Sequence, residues 1–224
     1  MKTRSLRYAV AMLATVLAAL IGLALTSGHS AAPPEPAAEV HAPISPEELE
    51  FRNDMRRLWE DHITWTRLAV ISLTTDSPDT DATVGRLLQN QTDIGDAIAP
   101  FYGEAAGEEL TRLLREHILI AADLVAAARA GDEAAVADAQ ERWTENADQI
   151  AAFLAAANPR SWPLAEMKAM LREHLQLTTA EALARLQGDW AADVAAYDAI
   201  HLQALEMADM LSTGIVRQFP ARFR

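Results

Sequence analysis

The chain has 224 residues, half of them apolar but only 6% aromatic, with 9 Gly, 10 Pro, no Cys and a formal charge of −13. Lys2, Arg4 and Arg7 contribute +3 with no acid beside them, so −16 is left for the rest. An acidic body with no basic stripe repels phosphate backbones and argues against nucleic-acid binding, and the lack of cysteine excludes disulfides, thiolate metal sites and a cysteine nucleophile.

The first segment is basic up to Arg7, and Tyr8 to Thr26 is an almost unbroken apolar run. A charged start followed by a hydrophobic stretch is the layout of a signal sequence. The run is also long enough to span a bilayer as a helix. Residues 1–26 are therefore expected to be a signal peptide or a transmembrane anchor, with residues 8–26 as the membrane contact. The basic end stays inside and the acidic body is extracytoplasmic. Residues 27–45, SGHSAAPPEPAAEVHAPIS, are rich in Ala and Pro and read as an extended linker.

Ser45-Pro46-Glu47-Glu48 is a helix start, with Ser as N-cap, Pro at the first helical position and acids in the first turn. Abundant Ala, Leu, Glu and Arg favour helix from there to the end. Breaks near Ser77-Pro78, Gly103, Gly131-Asp132, Asn158-Pro159 and Gly188-Asp189 divide residues 46–224 into six helices. These are expected at 46–75, 79–102, 105–130, 132–157, 164–187 and 189–218. The fold expected is an all-α six-helix bundle preceded by an N-terminal hydrophobic helix.

The helices recur in pairs. Leu114-Arg115-Glu116-His117 returns as Leu171-Arg172-Glu173-His174, and the same offset of 57 carries Gly131-Asp132 onto Gly188-Asp189. Trp59-Glu60-Asp61-His62 takes the same place in the first pair, and Arg86 to Asn90 aligns with Arg142 to Asn146. The simplest account is one antiparallel helical hairpin used three times, over 46–102, 105–157 and 164–218.

Repetition also places polar residues. His62, His117 and His174 lie inside apolar stripes of helical period, as do Asn90 and Asn146. His201 falls on the stripe of Val194, Tyr197, Leu205, Ala208 and Leu211. Counting from the turns puts all six near one height. One reading is a buried polar layer that fixes register. The other is a site in the bundle core for a small ligand or a transition metal (iron, zinc, manganese or copper), with His62, His117, His174, His201, Glu181 and Asp198 as ligands. A bound metal requires at least two of the three repeated histidines to place their nitrogens within about 8 Å. Arg67, near the His62 level, is expected to pair with a bundle acid. No phosphate loop, nucleophile elbow or HExxH motif is present, so a hydrolase or kinase has nothing to build on.

Several stretches resemble a family of uncharacterised bacterial proteins that are exported or membrane-anchored and helical: HITWTR at 62–67, residues 121–132, WTENADQIAAFL at 143–154, HLQLTTAEA at 174–182 and MADMLSTGIVRQFP at 207–220. Some members are labelled acetylglutamate kinase or glycosyltransferase, but this sequence lacks the alternating strands such enzymes need. The resemblance supplies no catalytic residues. The expectation is a non-enzymatic extracytoplasmic bundle in binding or assembly, with a protein partner as one possible target.

Overall fold

Ser45 starts the first helix as the sequence demands: its hydroxyl accepts the Glu48 N–H at 3.1 Å, and Pro46 follows in the first turn. The computed structural model describes residues 44–224; the expected leader or anchor and most of the linker lie outside them. Six helices follow: α1 Pro46–Thr75, α2 Thr80–Tyr102, α3 Glu104–Ala130, α4 Glu133–Ala157, α5 Leu164–Gln187 and α6 Trp190–Gln218. A 3-10 turn at Pro220–Arg222 closes the chain, and the described residues contain no strand. None of these helices is long and apolar enough to cross a membrane.

The turns explain the up-and-down course. Gly131 and Gly188 adopt left-handed φ values of 73° and 72°, where a side chain would be strained. The next N–H, of Asp132 or Asp189, bonds back to Ala127 or Ala184 and ends the helix. The same aspartates then cap the following helix, accepting from Ala135 N and Ala192 N. A Gly-Asp pair thus stops one helix and starts the next, so the chain reverses within a few residues. Asp76 takes the left-handed position between α1 and α2, at φ 56°, and pairs with Arg129 of α3.

Each helix packs on its sequence neighbours, and α6 returns to α1, so the six form a closed ring. Helix α1 also touches α3 and α5. At the end where the helices α1, α3 and α5 begin, Phe51, Phe101, Phe219 and Phe223 cluster with centroids 5.1–5.7 Å apart. Ser45 donates its hydroxyl to Phe223 O at 2.9 Å, which ties the C-terminal tail to the start of α1. Two close approaches need glycine. A Cβ on Gly95 would lie 2.5 Å from Gly107 O, where α2 crosses α3, and one on Gly214 would lie 2.2 Å from Trp162 Nε1.

Candidate functional site

His62 on α1, His117 on α3 and His174 on α5 meet in the middle of the ring. All three are buried. His174 is central, with ring centroids 5.8 Å from His62 and 6.3 Å from His117. Three different helices therefore bring these histidines together.

Each ring is held by an amide 29 residues later. His117 Nδ1 lies 2.8 Å from Asn146 Oδ1, and His174 Nδ1 lies 2.9 Å from Gln203 Oε1. The amide nitrogens turn away and donate to the carbonyls of Leu113 and Met170, four residues before each histidine. The amide oxygens must then face the rings, so Nδ1 carries the proton in both. His117 Nε2 accepts the indole N–H of Trp143 at 3.1 Å, which satisfies both ring nitrogens.

The first hairpin divides this work between two residues. Asn90 donates to Leu58 O at 3.0 Å, again four residues before the histidine. Gln91, 29 residues after His62, places its Nε2 3.2 Å from His62 Nδ1. That nitrogen also lies 2.8 Å from Leu87 O and 3.1 Å from Asn90 Oδ1, so its two hydrogens are shared among three acceptors, of which His62 Nδ1 is one. His62 carries its proton on Nε2.

The electrostatics follow from burial. Loss of hydration is the main cause that lowers His62 to about 3, helped by His174 and His117, and the amide bonds recover only part of it. His117 is lowered to about 3 for the same reasons, and His174 is lowered mainly by burial. All three rings are neutral at pH 7.

Apolar space lies on both sides of the layer. One cavity of about 50 Å³ lies among α1, α3 and α5, with Thr66, Thr178 and Trp143 in its lining. Another of about 40 Å³ is lined by Trp59, Leu114, Leu171 and Met207.

The remaining expected ligands are elsewhere. His201 is on the surface, where Nε2 lies 2.8 Å from Glu60 and the ring stacks on Tyr197. Asp198 is exposed. The stripe drawn through Val194 and His201 holds at Ala208 and Leu211, which are buried, but fails in its first half: Val194 is 54% exposed, and Asp193, Ile200 and Gln203 face inward. Helix α6 misleads because it buries three polar residues, Asp193, Gln203 and Ser212, and exposes Trp190, Val194 and Leu202.

Glu181 is fully buried, seven residues past His174 on α5 and thus about 10 Å along the axis. It belongs to a separate cluster. Arg67 donates to Glu181 Oε1 at 2.8 Å and to both carboxylate oxygens of Asp193, and Arg185 donates to Asp193 Oδ2 at 2.8 Å. Arg67 thus pairs with bundle acids, as expected. Burial pushes Asp193 up, but the two arginines outweigh it and hold its pKa below the ordinary value. For Glu181 burial wins over Arg67, so its pKa is raised, and Oε2 has no partner. Among the described residues, no three His, Asp or Glu side chains are grouped as metal ligands.

Sequence reasoning found His62, His117, His174, Asn90, Asn146 and the pairing of Arg67 with an acid, but missed Gln91, Gln203 and Asp193. The signal for the glutamines was present: 91, 146 and 203 each follow a layer histidine by 29. Compared with protein families, with curated proteins and with solved structures, the chain has no match.

Proposed function

We propose that this chain is a non-enzymatic, extracytoplasmic helical-bundle protein with a role in binding or assembly, carried to or across the membrane by residues 1–26. We read its body as three copies of one hairpin, at 46–102, 105–157 and 164–218. The observation that carries this reading is the use made of the layer. The polar groups most suited to chemistry are engaged with one another: each histidine meets an amide 29 residues on, and an amide of the same helix bonds the carbonyl four residues before it. Polar layers of this kind fix which helices pair and at what register. The acidic exterior of the bundle suits a protein that stays soluble outside the membrane and meets its partners through its surface.

The test joins location and composition. Fractionation and protease accessibility should place residues 46–224 outside the cytoplasm; protection of the bundle in cells whose cytoplasmic membrane alone is left intact would overturn the location. Elemental analysis of the tag-free protein should give far less than one transition metal per chain. A stoichiometric metal, lost on His174→Leu, would overturn the scaffold reading.

A further inference from the structure

We infer that the His62–His174–His117 layer is an acid-sensitive lock, which holds α1, α3 and α5 together while its rings are neutral and releases them when a ring is protonated. This goes beyond the binding role proposed above and does not depend on it.

The geometry gives each outer ring a specific bond that protonation destroys. His117 can gain a proton only at Nε2, and that lone pair accepts the Trp143 indole N–H. Once protonated, two donors face each other at 3.1 Å. His62 can gain a proton only at Nδ1, which accepts from Gln91 Nε2. Turning the Gln91 amide over would present its unpartnered Oε1 to the ring but would break the bonds of the same nitrogen to Leu87 O and Asn90 Oδ1. His174 lies between these two rings, so a charge on one ring is felt by its neighbour in a medium of low dielectric.

No counter-ion is at hand on any helix. On α1, Asp61 faces Arg86 and Glu60 faces His201. On α2, Asp93 also lies beside Arg86. On α3, Glu116 is taken by Arg112, and Arg115 reaches Leu88 O. On α4, Asp148 holds Lys168 and Arg172 of α5. The buried acids Glu181 of α5 and Asp193 of α6 are bound by Arg67, with Arg185 also on Asp193, while His201 of α6 is half-buried beside Glu60 and Asp198 is exposed. An imidazolium in the layer therefore has neutral amides, an indole and two other imidazoles around it. The cavities on either side give the displaced rings and Trp143 somewhere to move.

The affected range lies below the ordinary histidine value of 6.5, since His62 and His117 reach only about 3 while buried. A loosened state that takes up these protons gains about thirtyfold in population per ring between pH 7.5 and 5.0.

The experiment is hydrogen–deuterium exchange with mass spectrometry on the full-length chain in detergent, from pH 7.5 to 5.0, corrected for intrinsic exchange. Peptides around 58–66, 113–121 and 170–178 should lose at least tenfold protection on acidification. Peptides around the Phe101–Phe223 end should lose less. His117→Leu should reduce the acid effect, and His201→Ala should leave it intact. Unchanged protection of the layer peptides at pH 5.0 would overturn the proposal on the wild-type chain alone. An acid response in His117→Leu equal to that of the wild type would do the same. If that variant does not fold, His174→Leu replaces it, with the same expectation, and the wild-type exchange still decides.

Discussion

Removing the Arg67 guanidinium should be costly, because it holds two buried acids. Arg67→Met keeps most of the side chain's length and apolar stem. It takes away the donor to Glu181 Oε1 and both donors to Asp193. Asp193 keeps Arg185, but Glu181 is fully buried and keeps no hydrogen bond, only the more distant charge of Arg185, because its second oxygen already has no partner. Breaking a buried pair from one side typically costs about 3–5 kcal/mol. That is a large share of the roughly 5–15 kcal/mol that holds a domain folded. The penalty should depend on pH with a definite sign. Glu181 is already raised by burial, and it rises further without Arg67. The folded variant then holds a proton that the unfolded chain releases, so its stability falls as pH rises through the window above the ordinary carboxyl value. Urea unfolding followed by far-UV circular dichroism should show the full loss at pH 7.5 and a smaller one near pH 5. Arg67→Met with Glu181→Leu should recover most of it, since the uncompensated carboxyl is gone and Asp193 still has Arg185. A loss of less than about 1 kcal/mol in Arg67→Met, or a double variant no better than the single, would refute the electrostatic account.

Acid should weaken the wild-type bundle through the histidines. The unfolded chain binds protons at His62 and His117 below 6.5, whereas the native chain holds off until about 3. Stability is therefore complete above 6.5 and falls with pH below it, by about 2 kcal/mol per ring between pH 7.5 and 5.0. Urea midpoints of wild type and His117→Leu across that range measure the difference. Gln203→Leu strands His174 Nδ1–H and Met170 O, and chemical denaturation should show a loss of about 1–3 kcal/mol. The surface change His201→Ala should stay within about 0.5 kcal/mol. The glycines of α2 should respond oppositely in thermal melts. Gly85→Ala meets nothing within 4 Å and should gain up to about 1 kcal/mol from helix propensity. Gly95→Ala runs into Gly107 O and should lose about 1–3 kcal/mol. Gly214→Ala should lose a similar amount and alter the near-UV signal of Trp162, against which its Cβ would collide.

The sequence alone determined the helices and their ends. Caps, Gly-Asp turns and apolar period are local, and local signals survive without a tertiary structure; every expected boundary falls within one residue of the observed one. It also picked out His62, His117 and His174, because recurrence at equivalent places carries information that one helix cannot. Tertiary structure alone decided how those residues are used. The rotation of α6 could not be read from its residues, since an Ala-rich helix offers two plausible apolar faces. The correct face buries Asp193 and Gln203, polar side chains that make sense only beside Arg67 and His174. For the same reason His201 was placed inside although it lies outside. Pattern reading assigns polar residues to the surface by default, and only the partner on another helix shows when burial costs less than exposure.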